Sequence, residues 1–261
     1  CFACQRGRIW QTLTVVSKLY RDEAVVLRTY KLGEADRLLV LLTRQHGQVR
    51  AVAKGVARTN SRFGGRLQPF NLVDLQLHKG RNLDTVTQVQ TLEAYAGPIM
   101  GNYSAYTCAA TMAETAQRLT EEVNAYEGAN SQYLLLVGAL NALARARHPS
   151  GLVLDSYLLR SLSLAGWAPS CFDCALCGAK GPHEYFSVQN GGALCESCRQ
   201  PGSIHVDSEA MVLLGALLSG DWPTVYACPA VVRGQVSAIV SAYVTWHLER
   251  RLASLSLVER A

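Results

Sequence analysis

The sequence lacks any hydrophobic run that could cross a membrane. Its longest aliphatic stretch is LLVLL at residues 38–42, whereas a spanning helix needs about 20 apolar residues. It also has no G-x-x-x-x-G-K-[ST] phosphate loop, no H-E-x-x-H, no G-x-S-x-G and no H-x-E followed by P-C-x-x-C. We therefore expect a cytoplasmic protein that is not an enzyme, with no membrane and no ATP among its partners.

Acidic side chains are scarce where basic ones are abundant. Residues 25–92 carry eleven Lys and Arg against four Asp and Glu, a net charge of +7, whereas residues 93–261 carry a net charge of −4. Residues 50–66 have a basic side chain at every fourth position and no acid among them. Because charge of one sign indicates the kind of partner, we expect a polyanion, most commonly a nucleic acid.

The basic third has the short period of β-strands. Alternation and turn residues predict five strands, at residues 23–30, 37–43, 47–54, 72–78 and 83–92. Five short strands in this length are typical of an OB-fold, whose strands and loops often bind oligonucleotides; an SH3-like barrel would give a similar pattern. The connection 55–71, which holds most of the basic side chains, is expected on the surface.

After Gly97-Pro98 the period becomes helical, which predicts helices at residues 102–123, 130–147, 152–165, 208–218 and 230–252. The fold class is therefore α+β multidomain, a five-stranded OB-fold barrel followed by an all-helical domain that carries a cysteine ribbon. The expected units are an N-terminal extension at 1–22, the barrel at 23–95, helices at 96–170, the ribbon at 171–200 and helices at 201–261.

The ribbon contains two C-x-x-C pairs separated by seventeen residues, Cys174 with Cys177 and Cys195 with Cys198. This spacing is typical of a four-cysteine zinc site, which is closed and therefore structural. Cys171 with Cys174 is a rival pair, but Gly178 favours the first choice because a tight turn after Cys177 needs a positive φ. An iron–sulfur cluster is the other alternative, since C-x2-C-x2-C runs also hold clusters.

Several segments resemble one known family. The run from residue 23 to residue 80 includes VLR, GEADR, AKG and SRFGGRLQPF, and further on stand LLRSLSLAGWAPSCFDCALCG and YVTWHLERRLASLSL. These segments, in this order, are similar to the bacterial RecO family of DNA-repair and recombination-mediator proteins, over about residues 23–258. Residues 1–22 lie outside the resemblance, and Cys171 is a fifth cysteine beside the four that the family's ribbon implies.

The resemblance implies an OB-fold that binds single- and double-stranded DNA, anneals complementary strands, and works with RecR and the single-strand-binding protein to load recombinase at gaps and breaks. It also implies one structural Zn²⁺ per chain and a cytoplasmic, nucleoid-associated location. The alternatives are an adaptor that mainly docks RecR and the single-strand-binding protein, an RNA-binding OB protein, and a metallonuclease that uses Glu34 and Asp36.

The candidate DNA-binding residues are the cations of the expected barrel and its loops. They are Arg37, Arg50, Lys54, Arg58, Arg62, Arg66, Lys79 and Arg81. Phe63 is a candidate either for stacking on bases or for anchoring the loop, whereas Tyr30 and Phe70 are expected in the core or at its margin.

Overall fold

The computed structural model describes most of the chain. The described residues are 18–56, 61, 63–121, 128–248, 252 and 254–258. Most of the expected N-terminal extension, and the candidates Arg58 and Arg62, lie outside them.

The N-terminal unit is a closed five-stranded barrel, as predicted. Its strands are β1 Leu19–Leu32, β2 Asp36–Thr43, β3 Gln48–Ala53, β4 Leu72–His78 and β5 Asp84–Glu93. They close in the order β1-β2-β3-β5-β4. All pairs are antiparallel except β3 with β5, where Ala51 faces Asp84 and Val52 faces Thr85. This crossing from β3 to β5 gives the barrel the Greek-key connectivity of an OB-fold.

Strand β1 begins at Leu19, before the expected start at residue 23. Its first half pairs with β4 from Leu19 opposite His78 to Val25 opposite Leu72. The Tyr20 hydroxyl also donates a hydrogen bond to Asp84. Residues 19–22 therefore lie in the first strand of the barrel, although their order, Leu-Tyr followed by Arg-Asp, does not show the alternation by which a strand is recognised.

Strands β1 and β2 are buried on both faces over part of their length. Ala24, Val26, Leu39 and Leu41 point into the barrel, whereas the residues between them join the core of the helical unit; these are Val25, Leu27, Val40 and Leu42. A strand that is covered on both faces has a continuous apolar run rather than alternation, which explains the LLVLL stretch.

The rest of the chain is helical apart from the ribbon. The helices are α1 Ala96–Met100, α2 Tyr103–Thr120, α3 Gly128–Ala144, α4 Ser150–Leu164, α5 Ser208–Ser219, α6 Trp222–Ala227 and α7 Ala230–His247. The sequence reading missed α1 and α6, which contain Pro98 and Pro223. Proline is compatible with a first helical turn, because the N–H groups there have no acceptor within the helix.

The ribbon is a small three-stranded sheet between α4 and α5. Strands β6 Tyr185–Ser187, β7 Gly192–Leu194 and β8 Ile204–His205 are ordered β7-β6-β8. Phe186 and Ala193 contribute to the core that also contains Tyr243 of α7. None of the helices described is long and apolar enough to span a bilayer.

Candidate nucleic-acid interface and metal centre

Three exposed cations meet at one end of the barrel. In the β1–β2 hairpin Lys31 lies directly opposite Arg37, Arg37 lies opposite Ala53 on β3, and Lys54 follows Ala53. We call Lys31, Arg37 and Lys54 the basic edge. All three side chains are exposed, and like charges placed opposite each other on a sheet repel.

The basic edge is not neutralised by the part of the chain that the structure describes. Within the described ranges no carboxylate lies within 4.0 Å of its three cations. Asp36, the nearest acid in sequence, instead accepts a 2.8 Å hydrogen bond from the backbone N–H of Gly55. The positive charge of this edge is therefore available to an anion from outside the chain.

Arg50 is placed differently from the basic edge. It shares a cross-strand row on the outside of the barrel with Val40 and Arg28. Helix α2 and the residue that follows it supply an acid to each end of this row. Arg50 lies 3.4 Å from Glu121, and Arg28 lies 3.6 Å from the buried Glu114. These carboxylates partly neutralise the positive charge of the row. The row therefore attracts an anion from outside the chain less strongly than the basic edge does.

Lys79 and Arg81 lie in the exposed β4–β5 turn. Because β5 runs parallel to β3 from Asp84 beside Ala51, this turn lies toward the start of β3, whereas Lys54 follows its end. The acid of the turn, Asp84, is occupied by the N–H of Gly80 at 3.0 Å and by the Tyr20 hydroxyl. The structure thus separates these two cations from the basic edge.

Arg66 lies in a short 3₁₀ turn, Gly64–Leu67, within the connection between β3 and β4. Its guanidinium Nη1 donates a 3.4 Å hydrogen bond to the carbonyl of Val89 on β5. Phe63 just before this turn is buried in the barrel core beside Leu67, so it anchors the connection and is not available to stack on bases.

The structure therefore brings together Arg37 and Lys54 from the candidate set, adds Lys31, and places Arg50, Arg66, Lys79 and Arg81 elsewhere on the barrel. The sequence reading missed Lys31. The hairpin turn at Gly33 was the available signal, because a short turn there aligns Lys31 with Arg37.

The four cysteines of the two C-x-x-C pairs lie together. Their sulfur atoms are all within 4.8 Å of one another, and the Sγ atoms of Cys177 and Cys195 are 3.7 Å apart. A tetrahedral site with zinc–sulfur bonds of about 2.3 Å has sulfur–sulfur edges of about 3.8 Å. Gly178 has φ +73°, the conformation expected after the first pair.

The backbone around Cys174 favours its thiolate. Burial would raise the pKa of this thiol, but hydrogen bonds from the backbone at Cys195, Cys177 and Leu176 lower it to about 6. A metal binds the thiolate rather than the thiol. The donor set and its backbone thus fit a thiophilic cation.

Cys171 lies outside this cluster. Its thiol is buried and donates a 3.6 Å hydrogen bond to the carbonyl of Pro169, and burial raises its pKa to about 11. A neutral thiol that already has an acceptor is a poor ligand, so the geometry favours the four-cysteine set over the rival pair.

The ribbon histidine is structural. His183, in the loop between the two C-x-x-C pairs, is buried, and its Nε2 lies 2.9 Å from the carbonyl of Ala179. In the described part of the chain, no other group of three or more His, Cys, Asp or Glu could hold a metal.

Comparison with known proteins agrees with this architecture. The family model described as "Recombination protein O N terminal" matches residues 17–95, and "Recombination protein O C terminal" matches residues 100–256. A "DNA repair protein RecO" from Nocardioides sp. is 55% identical over 245 residues, which cover 93% of this chain and 100% of the relative. Another from Streptomyces avermitilis is 53% identical over 249 residues, 93% of this chain and 99% of the relative. The chain therefore belongs to the RecO family of DNA repair proteins.

Proposed function

We propose that this protein binds single- and double-stranded DNA through the cations of its barrel and anneals complementary strands without hydrolysing a nucleotide. In the cell it acts with RecR and the single-strand-binding protein in recombinational repair, where recombinase is loaded at gaps and breaks. Its location is the cytoplasm, in association with the nucleoid.

The observation that carries the proposal is the set of exposed barrel cations without an acidic partner. In the described ranges, Lys31, Arg37, Lys54, Lys79 and Arg81 have no carboxylate within 4.0 Å. Phosphate backbones repel each other, so annealing is accelerated by fixed cations that screen two strands while their base edges remain free. Release of the counterions condensed on DNA makes such binding depend on salt.

The same five cations set the expected salt dependence. If about five phosphates of a single strand are neutralised, the slope of log affinity against log salt concentration is about −3 to −4. Labelled oligonucleotides titrated across a salt series give this slope directly. A slope near zero, or equal affinity for an uncharged backbone analogue, would remove the barrel cations from the account.

We propose Zn²⁺ as the metal of the ribbon, one ion per chain, held by Cys174, Cys177, Cys195 and Cys198. Four thiolates fill a tetrahedral site and leave no position for water, so the ion's contribution is to folding rather than to chemistry. The ribbon's strands have two or three residues each, so a metal supplies stability that so small a sheet lacks.

A second candidate function is that of an adaptor for protein partners. A groove of about 1320 Å³ lies between the ribbon and the end of α7, and its lining includes Trp167, Trp246 and Leu255. If docking of RecR or the single-strand-binding protein is the main activity, Trp246→Ala reduces co-elution with one of them, while Val231→Ala, at the exposed start of the same helix, does not.

The two functions are separated by an annealing assay without partners, together with a binding assay for RecR and the single-strand-binding protein. Purified protein is mixed with complementary oligonucleotides in the absence of nucleotide, and duplex formation is followed by fluorescence quenching. DNA annealing by the protein alone supports the first function. Binding of RecR or the single-strand-binding protein without any acceleration of annealing would favour the adaptor.

A further inference from the structure

An apolar row crosses the outer face of the barrel next to the basic edge. Tyr30 on β1 lies opposite Leu38 on β2, Leu38 lies opposite Val52 on β3, and Val52 lies beside Thr85 on β5. Neighbouring strands are about 4.8 Å apart, so the apolar part of the row, from Tyr30 to Val52, extends about 10 Å across three strands, and Thr85 ends the row on β5. Leu38 and Val52 are half-buried and form a low floor beside the tyrosine ring.

Tyr30 is the exposed aromatic side chain of this floor. It is 45% exposed, whereas Phe63 and Phe70 are buried and the Tyr20 hydroxyl is bonded to Asp84. In the part of the barrel that the structure describes, no other ring stacks on Tyr30. Its exposure excludes the core, so of the two positions predicted from the sequence the margin remains.

The charges around the row are those that a nucleic acid strand requires. Lys54 follows Val52 by two residues and so lies on the same side of β3. Lys31 and Arg37 are cross-strand partners next in sequence to Tyr30 and Leu38. Because successive side chains alternate, these two exposed cations border the row at the end of the barrel from the other side of their strands. A flat apolar floor bordered by unneutralised cations complements a single strand, which presents base faces next to a line of phosphates. A duplex offers the phosphates but keeps its base faces stacked inside.

We propose that Tyr30 is a stacking platform for an unpaired base of single-stranded DNA, with Leu38 and Val52 beneath the strand and the basic edge on its phosphates. This inference rests on the proposed function and adds the strand that this surface prefers. A base held on Tyr30 is released when its complement pairs with it, because a paired base cannot lie on the ring. The platform thus distinguishes substrate from product in annealing.

The test compares single-strand and duplex affinity in variants of the full chain. Tyr30→Ala removes the ring, Tyr30→Leu keeps apolar bulk without the ring, and Tyr30→Phe keeps the ring without the hydroxyl. Tyr103→Ala is the matched control, since Tyr103 is an exposed tyrosine on α2. Each variant is titrated by fluorescence anisotropy into oligothymidine and into a blunt duplex over a salt series, after circular dichroism has established its folding.

Stacking of one base on an aromatic side chain predicts a loss of about 5- to 150-fold in single-strand affinity for Tyr30→Ala and Tyr30→Leu. The salt slope stays that of the unmodified protein because no charge is removed. Duplex affinity stays within about twofold of the unmodified protein in every variant, because a paired base cannot lie on the ring. Single-strand affinity stays within about twofold in Tyr30→Phe and Tyr103→Ala, since neither change alters the contact between ring and base.

Unchanged single-strand affinity in Tyr30→Ala or in Tyr30→Leu, or an equal loss for single strand and duplex, overturns the platform. Loss of RecR binding with DNA affinity intact would assign the row to a protein partner instead and also overturns it. Failure of the proposed function looks different, because the unmodified protein would then bind neither oligonucleotide with a measurable salt slope.

Discussion

At the scale of the residue, Asn71 shows how a single side chain holds the connection between β3 and β4. It is buried; its amide Nδ2 donates to the carbonyls of Gly65 and Arg66 at 3.2 and 3.1 Å, and its Oδ1 accepts from the N–H of Ala96 at 2.9 Å. One side chain thus fixes the turn that carries Arg66 and joins it to the first helix.

We expect Asn71→Ala to lower the free energy of unfolding by about 2 to 4 kcal/mol, because it leaves the buried N–H of Ala96 without its partner and removes two hydrogen bonds to the 3₁₀ turn. Urea denaturation followed by circular dichroism measures the change. Asn82→Ala, an exposed asparagine in the β4–β5 turn, serves as the control and stays within about 0.5 kcal/mol. If Asn71→Ala also lowered the free energy of unfolding by no more than about 0.5 kcal/mol, water would be replacing these hydrogen bonds.

At the scale of the element, a regular repeat in the sequence predicted which side chains lie close together only where the repeat falls within one strand, helix or turn. The basic side chains recur every fourth residue in residues 50–66, but Arg50 lies in β3 and Arg66 in a 3₁₀ turn. No single strand or helix spans them, so the described members of the repeat, Arg50, Lys54 and Arg66, do not all lie on one face of one element. The C-x-x-C pairs and the barrel strands were predictable, because their geometry is set by neighbours in sequence or by alternation.

Contacts between elements that are distant in sequence could not be predicted in this way. Glu121 is 71 residues from Arg50, and only the packing of α2 on the outside of the barrel brings them together. The sequence therefore identified the cations but could not predict which of them are neutralised by a carboxylate.

This neutralisation predicts unequal effects of the barrel cations on DNA binding. Lys54→Ala and Arg37→Ala each flatten the salt slope for single strands by about 0.7, the value of one phosphate contact. Arg50→Ala flattens it by less, because Glu121 already balances part of that charge. Slopes from anisotropy titrations measure this, and a larger effect for Arg50 than for Lys54 would contradict the assignment of the basic edge.

The ribbon gives a second prediction at the scale of the element. Cys177→Ser removes one of four ligands and lowers the bound metal well below one ion per chain, whereas Cys171→Ala retains it, because that sulfur lies outside the cluster. Atomic absorption on dialysed protein measures both. Loss of metal in Cys171→Ala with Cys177→Ser still loaded would restore the rival ligand pair.

At the scale of the whole molecule, the barrel and the helices are joined by contacts around β1. Arg28 of β1 lies 3.6 Å from Glu114 of α2, whose carboxylate also accepts from the N–H of Ser254 at 3.0 Å. The Tyr133 hydroxyl of α3 donates to Glu23 of β1 at 3.2 Å. The apolar side chains between β1, β2 and the helices form one continuous core. This packing holds in place the strands from which the exposed barrel cations project.

The central claim is that exposed cations on this barrel bring together two strands that otherwise repel each other. It is tested most directly by the annealing rate of complementary oligonucleotides, without nucleotide, for the unmodified protein and for the Arg37→Glu, Lys54→Glu double variant. We predict that the unmodified protein accelerates annealing, less so as salt rises, and that the folded double variant loses most of the acceleration. Equal acceleration by both proteins would contradict the account.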